Sequence, residues 1–292
     1  MSTPLETLYP AFPFNETLRE MIRTPPFDWL TIHWPGVAPE TAANWIAVLP
    51  LAATEQHGPH LPLTTDVLIA EAYTAKVREL LPRDTLATFL PVQPVGISTE
   101  HMDFPGTQTL TSEVALRAWT TLGEEVARRG IRKIVMVSSH GGNSAAMTMV
   151  AQDLRARHRM LAVTTAWSRF GVPDGLFDTE ELRHGIHGGA VETSIMLARY
   201  PTQVRRDSIA DFRPASIAIE KTYRWLGTQR PAPFAWQAQD LHPSGAVGDA
   251  TQASAANGER LLEHGARAFC ELLADMARFD LAQLKAGPRD PA

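Results

Sequence analysis

Carboxylate and imidazole side chains lie close together in the segment from Glu55 to Asp66, which reads EQHGPHLPLTTD. Glu55 and His57 are two residues apart, so an extended chain would point both side chains to the same side. Asp66 opens the next predicted helix, and the loop could bring its carboxylate back to the same place. Carboxylates and imidazoles are ligands for Zn²⁺, Mn²⁺ and Fe²⁺. By itself, the segment could equally be a polar surface loop that ends in a helix cap at Thr65 or Asp66.

Two later segments carry residues of the same types. Residues 138–143 read SSHGGN and follow the most strand-like run of the chain, which makes His140 a natural further ligand. Residues 184–194 read HGIHGGAVETS, with His187 near a helix start and Glu192 in an otherwise apolar helix. An unpaired carboxylate buried there would be costly, and a metal ion or a cationic partner would offset that cost. The simpler alternatives are a glycine turn with an incidental histidine and a helix with an exposed glutamate.

A fourth segment, residues 96–107, reads GISTEHMDFPGT and also follows a predicted strand. We expect this segment to border the pocket. Its Glu100, His101 and Asp103 have the chemistry of metal ligands, but we do not expect them to be ligands here.

These segments need a scaffold, and short apolar runs alternate with stretches of helical spacing along the chain. The pattern predicts strands at 46–51, 87–95, 133–138 and 160–166, and helices at 66–81, 110–129, 144–158, 189–199 and 255–279. Such alternation favours an α/β fold with a mostly parallel sheet that helices cover on both faces. Ligand crevices in these sheets lie beyond the carboxyl ends of the strands, where the segments after 46–51 and 133–138 would meet.

The chain is predicted to form a single domain over residues 1–292. Residues 1–40 are rich in proline and aromatic residues and are interpreted as an irregular arm, while 286–292 form a short tail. The stretches 167–182 and 201–248 are interpreted as loops, and long loops in compact domains are often lids or binding loops.

Composition excludes several classes of protein. The formal net charge of -5 and the pI of about 6.1 give no indication of a nucleic-acid partner. A single cysteine, Cys270, rules out a disulfide within the chain and fits the cytoplasm. The first residues do not resemble a signal peptide, and no apolar run is long enough to predict a membrane span.

Taken together, the motifs resemble those of the creatininase (creatinine amidohydrolase) family. The resemblance spans about residues 45–200 and extends more weakly to 244–249 and the last helix. Each motif is weak alone, but the set in the family's order is specific. The motifs are EQHG at 55–58 with Asp66, FPGT at 104–107, HGGN at 140–143, and the run from His187 through Glu192-Thr193-Ser194.

The resemblance implies a three-layer α/β/α sandwich, two divalent metal ions (Zn, Mn or Fe) and a homohexamer. It implies that Glu55 and His140 hold one ion and His57 holds the other. Asp66 would bridge the two ions, and His187 would match the family's catalytic histidine.

Two departures from the family's pattern bear on the substrate. Creatinine hydrolases carry HYEN where this chain has HGGN, and their glutamate is a ligand that Gly142 cannot supply. Glu192 is the residue that we expect to replace it, as a metal ligand with a catalytic role. The family's Trp-Asp pair ahead of the catalytic histidine is also absent, because Arg183 and His184 stand there. Both departures argue against creatinine as the substrate.

The expected reaction is hydrolysis of a C–N bond in a small cyclic or linear amide by a metal-bound hydroxide, with His187 passing a proton to the leaving nitrogen. Family branches with HGGN resemble formamide deformylases of pyrimidine metabolism and the peptidase that trims the mycofactocin precursor, so either activity is an alternative. A carboxylate–histidine metal site also suits an isomerase or a lyase. Because of Gly142, a degenerate member that binds a small molecule, or a structural oligomer without catalysis, stays open.

Overall fold

A four-stranded parallel sheet forms the centre of the fold in the computed structural model, which describes residues 28–32, 42–229 and 231–287. β1 pairs with β2 and with β3, and β3 pairs with β4, so the strand order is β2-β1-β3-β4. The predicted parallel sheet is therefore confirmed. The strands are β1 (Ile46–Leu51), β2 (Ala87–Phe89), β3 (Lys133–Ser138) and β4 (Leu161–Ala166).

Helices cover both faces of this sheet, which confirms the α/β fold class. The helices are α1 (Thr65–Leu80), α2 (Ser112–Arg128), α3 (Ser144–His158), α4 (Thr179–His184), α5 (Ala190–Arg199), α6 (Ser216–Thr222), α7 (Ala238–Leu241) and α8 (Ala255–Arg278). α1, α5 and α8 pack on one face, and α2 and α3 pack on the other. Ile46 and Val48 of β1 point into the first core, whereas Ala47 and Leu49 point into the second, because side chains alternate along a strand.

The predicted strand at 87–95 ends early, at Phe89. Leu90 and Gln93 still donate backbone hydrogen bonds to Val48 and Pro50 of β1 at 2.8 and 3.0 Å. The chain therefore follows β1 without forming a regular ladder. Prolines at 91 and 94 explain this, since proline has no N–H to donate.

The stretch 167–182 was predicted as a loop, but it contains a short 3₁₀ helix, Trp167–Phe170, and the start of α4. Asp178 caps α4 by accepting a hydrogen bond from the Glu181 N–H at 2.8 Å. A helix of six residues has fewer than two turns, so its apolar residues cannot show a helical repeat. The capping residue Asp178 was the one local signal for this helix.

Two antiparallel strands, β5 (Asp211–Phe212) and β8 (Gly248–Asp249), form a small second sheet. A short parallel pair, β6 (Leu226–Gly227) and β7 (Ala232–Pro233), lies within the long predicted loop. Most of the predicted arm and of the predicted tail lies outside the described residues, and the single domain stays a prediction. Among the helices in the described ranges, none combines the length and the apolar character that a membrane crossing requires.

Candidate metal centre

Three of the predicted ligands come from the loop after β1 and from the start of α1. The loop folds back on itself because the Glu55 N–H donates to the Leu63 carbonyl at 2.9 Å. Asp66 lies in the first turn of α1, and the Ser139 hydroxyl holds that turn by donating to the Asp66 carbonyl at 2.8 Å. The carboxyl ends of β1 and β3 thus converge on one buried point, where Glu55, His57 and Asp66 are at most 1% exposed.

Asp66 lies between two histidines and turns one oxygen to each. Its Oδ1 is 3.7 Å from Nε2 of His57, and its Oδ2 is 3.5 Å from Nδ1 of His140. A carboxylate that joins two metal ions needs such an arrangement, in which each oxygen faces a different set of ligands.

The two remaining carboxylates complete one set each. Oε1 of Glu55 lies 3.1 Å from Nδ1 of His140. Oε2 of Glu192 lies 3.8 Å from Nε2 of His57 and also accepts a hydrogen bond from the Gly188 N–H at 2.6 Å. The structure therefore brings all five predicted ligands together, as one set of Glu55, His140 and Asp66 and one set of His57, Asp66 and Glu192.

Backbone carbonyls orient the two histidines of these sets. Nε2 of His140 lies 2.8 Å from the Ile97 carbonyl, and Nδ1 of His57 lies 3.0 Å from the Glu55 carbonyl. A carbonyl only accepts, so in the neutral rings these nitrogens carry the protons. Nδ1 of His140 and Nε2 of His57 then present free lone pairs to the carboxylates, which is the tautomer that a metal ligand needs.

Within the part of the chain that the structure describes, several of these atoms are buried and have no hydrogen-bond partner. They are both carboxylate oxygens of Glu55, Oδ2 of Asp66 and Nε2 of His57. Buried polar atoms without partners are costly. Two divalent cations, one in each set, would satisfy all of them. Oxygen with imidazole nitrogen is a donor set that Zn²⁺, Mn²⁺ and Fe²⁺ accept, so the residues fit such ions.

The charges of the centre also favour cations. Burial lowers the pKa of His57 and of His140, but the nearby Asp66 and Glu55 carboxylates outweigh it and raise these pKa values to about 9 and about 10. Burial raises the pKa of Glu55, yet the surrounding histidines hold it below its usual range. Burial also raises the pKa of Glu192, to about 7. The buried centre thus favours positive charge next to the carboxylates of Glu55 and Asp66.

His187 lies against the same centre, ahead of α5. Its backbone is fixed by two hydrogen bonds with Val247, at 3.2 and 2.6 Å. Its ring lies 4.1 Å from the His57 ring, Nε2 is 2.6 Å from the Gln56 carbonyl, and Nδ1 is 3.6 Å from Oε1 of Glu55. Burial and the neighbouring imidazoles lower its pKa well below the usual value, so the ring is neutral.

Sequence reasoning missed the position of His101. This residue was expected only to border the pocket, but it is buried, with Nε2 3.3 Å from Oε1 of Glu55 and Nδ1 2.7 Å from the Gln56 amide. Its ring stacks on His187 with centroids 4.2 Å apart. The residue belongs to a single 3₁₀ turn, Thr99–His101, which has no periodic signal. Asp103 instead accepts a hydrogen bond from Gln239.

Gly142 lies close to the backbone at Ile97 and to the carboxylate of Glu100. A Cβ atom there would lie 2.3 Å from the Ile97 carbonyl and 2.8 Å from Oε1 of Glu100. Glu100 thus occupies the space of a side chain at 142. Its Oε1 lies 3.7 Å from Nε2 of His140, which is the ring nitrogen that faces away from Glu55. Glu192, in contrast, lies beside Nε2 of His57, the ring nitrogen that also faces Asp66.

A cavity of about 340 Å³ reaches His187 and Glu192 from the side of α1 and α5. Its walls include the largely apolar side chains of Ile69, Trp167 and Ile195. A second cavity of about 360 Å³ lies beside residues 223–229. Arg183 and Gln229 line both cavities.

Comparisons with known proteins identify the family. The family model for creatininase, creatinine amidohydrolase, matches residues 31–273. A mycofactocin precursor peptide peptidase of Mycolicibacterium smegmatis is 32% identical over 218 residues, which cover 74% of this chain and 79% of that protein. A creatinine amidohydrolase of Pseudomonas putida is 28% identical over 76% of this chain and 86% of that protein.

Solved structures share the fold. A manganese creatininase aligns with a TM-score of 0.70 and 24% identity over 87% of this chain and 100% of that chain. A mutant creatininase of the Zn-Zn type aligns with a TM-score of 0.69 over the same share of each chain, again at 24% identity. The family match covers most of the sequence and the peptidase relative exceeds 30% identity, so this chain belongs to the creatininase family.

Proposed function

We propose that this protein is a metal-dependent amidohydrolase that cleaves a C–N bond of an amide. The observation that carries this proposal is the position of Asp66, whose two oxygens face His57 and His140. The unpartnered atoms around it support a pair of divalent cations in particular. Family membership supports hydrolysis as the reaction.

The two ligand sets divide between two ions. Glu55, His140 and Asp66 would hold one ion, and His57, Asp66 and Glu192 would hold the other. When bound, divalent ions of this kind (Zn, Mn or Fe) supply a hydroxide nucleophile at neutral pH and polarise the carbonyl under attack.

His187 and Glu192 are the residues that would move protons. The Nε2–H of His187 donates to the Gln56 carbonyl, so Nδ1 is its basic atom, and it faces the metal-binding carboxylates. A neutral imidazole can take a proton from the nucleophile and pass it to the leaving nitrogen. Glu192 is the second residue that we propose to exchange a proton, because its carboxylate lies at the same centre, 3.8 Å from Nε2 of His57.

We propose a small cyclic or linear amide as the substrate, including a formamide. Creatinine itself is disfavoured, because Arg183 and His184 replace the family's Trp-Asp pair and Gly142 replaces a ligand. A peptide is the second candidate, since the cavity at His187 borders a second cavity that Arg183 and Gln229 also line. The similarity to the mycofactocin precursor peptide peptidase favours the same candidate.

Metal content and product analysis test the proposal together. Purified protein should hold about two transition-metal ions per chain by ICP-MS, and Asp66→Ala should lose most of them while Asp207→Ala, at an exposed position, keeps them. A panel of lactams, formamides and short peptides in H₂¹⁸O should yield one carboxylic acid product labelled with ¹⁸O. Full metal retention in Asp66→Ala would refute the metal assignment. Turnover without ¹⁸O would point to an isomerase or lyase, and metal binding without turnover to a non-catalytic binder.

The family resemblance also leads us to propose a homohexamer in the cytoplasm. Light scattering coupled to size-exclusion chromatography measures the assembly directly. A mass near six times 32.1 kDa supports the hexamer, and a monomer mass contradicts it.

A further inference from the structure

A buried carboxylate outside the metal centre joins two backbone segments. Glu181 of α4 is 4% exposed. Its Oε1 accepts a hydrogen bond from the Ala190 N–H at 2.6 Å, and its Oε2 accepts one from the Asp249 N–H at 2.6 Å. Within the described residues, no lysine, arginine or histidine pairs with it. In the described part of the chain, the hydrogen-bond donors to this carboxylate are these two backbone N–H groups.

Three glycines lie against the carboxylate of Glu181, at positions where a side chain would collide with it. A Cβ atom at Gly185 or Gly189 would lie 2.2 or 2.4 Å from Oε1, and one at Gly248 would lie 3.0 Å from it. Such distances are below van der Waals contact. The backbone is thus shaped around this one side chain.

The carboxylate also serves as the cap of α5. Gly189, the residue before α5, has no side chain to accept from the first N–H groups of that helix. Oε1 of Glu181 accepts from Ala190 in its place, and the positive end of the helix dipole favours a negative charge there. Burial raises the pKa of Glu181, and the two N–H donors oppose this rise.

The two donors lie in the backbone segments that hold the proposed catalytic residues. Ala190 begins the helix whose first turn carries Glu192, and Asp249 follows the segment that pairs with the backbone of His187 through Val247. One carboxylate thus fixes both backbone segments that meet at His187.

We propose that Glu181 is a positioning residue that sets His187 and Glu192 against the ligands from the sheet. This inference rests on the proposed function, because the position of His187 and Glu192 relative to the other ligands matters only for metal-dependent hydrolysis. Glu55, His57 and Asp66 follow directly from the sheet and α1, whereas His187 and Glu192 come from a segment outside the sheet. That segment needs an anchor of its own, and Glu181 provides it.

The test compares Glu181→Gln with Glu180→Gln, which changes the exposed neighbour that pairs with Arg213. A glutamine keeps the volume, but its NH₂ group must face one of the two N–H donors. We expect kcat of Glu181→Gln to fall about 10- to 100-fold, with KM changed less than about twofold, and the second Co²⁺ equivalent to bind at least about tenfold more weakly. Visible absorption of bound Co²⁺ measures the binding. Glu180→Gln should match the wild type in all three.

A double variant separates positioning from simple helix capping. In Glu181→Ala combined with Gly189→Ser, the serine gains room and can cap α5 without joining it to Asp249. We expect it to regain thermal stability relative to Glu181→Ala, while kcat and the affinity for the second Co²⁺ stay low. If the double variant also regains kcat and the affinity for the second Co²⁺, the proposal is overturned. Wild-type values of kcat and of Co²⁺ affinity in Glu181→Gln would overturn it as well. If the wild type hydrolyses no amide, the proposed function fails, and the Co²⁺ titration still decides the role of Glu181.

Discussion

Substitution of Glu192 by glutamine tests which carboxylate replaces the ligand that Gly142 lacks. Oε2 of Glu192 lies 3.8 Å from Nε2 of His57, so the change removes a negative charge beside the second ligand set. Two unit charges about 4 Å apart interact by about 4 kcal/mol at an effective dielectric constant of about 20. That free energy corresponds to roughly a thousandfold in binding. The second ion should therefore be lost at micromolar metal, whereas Glu55, His140 and Asp66 keep the first.

The assay is ICP-MS after gel filtration in metal-free buffer, with hydrolysis of the best amide measured on the same samples. Glu192→Gln should hold about one ion per chain and lose most activity. The matched control is Glu100→Gln, whose carboxylate lies 3.7 Å from the other nitrogen of His140. This control should retain both ions. Two ions in Glu192→Gln and one in Glu100→Gln would refute the reasoning and make Glu100 the ligand.

Three other predictions follow from the same geometry. His187→Gln should lower kcat by about 10²- to 10⁴-fold while ICP-MS still finds two ions, because the residue moves protons and is not one of the proposed ligands; loss of an ion would make His187 a ligand. Protonation of His57 and His140, whose pKa values rise from 6.5 to about 9 and about 10 on folding, stabilises the metal-free protein fully below pH 6.5. The Tm of the metal-free protein should therefore fall as pH rises from 6.5 to about 10, and a flat Tm there would contradict these shifts; excess Zn²⁺ should reduce the slope. Gly142→Ala should destabilise the fold by about 1–3 kcal/mol in urea titrations, because its Cβ would meet the Ile97 carbonyl at 2.3 Å, and an unchanged midpoint would show that this loop relaxes.

The scaffold was predictable where apolar runs are short and end at polar segments. β1 and β3 have the predicted bounds, because buried strands of a parallel sheet are nearly continuous apolar runs and each is followed by a loop with charged or glycine residues. The convergence of Glu55, His57 and His140 followed from the same logic, since adjacent parallel strands bring their carboxyl ends together.

Other parts of the centre had no signal in the sequence. His101 enters through one 3₁₀ turn, and the direction of a single turn depends on tertiary contacts such as its hydrogen bond with Gln56. The prolines after Phe89 could have shortened β2, but the pattern of apolar residues outweighed them in the prediction. Glu181 was equally hidden, because its partners are backbone N–H groups, which leave no trace in residue type.

The position of the second carboxylate explains why this centre needs an anchor beyond the sheet. A ligand at residue 142 would follow β3 directly and would share the rigidity of the sheet. Gly142 cannot supply one, and the residue that we propose in its place, Glu192, lies in α5, which begins after two glycines at 188 and 189. Glycines lose more conformational entropy on ordering than other residues, so holding the start of α5 in one position costs free energy. The two hydrogen bonds of Glu181 provide that fixation. A ligand on α5 would thus make the binding of the second ion, and with it turnover, depend on Glu181, which lies outside the proposed ligand sets.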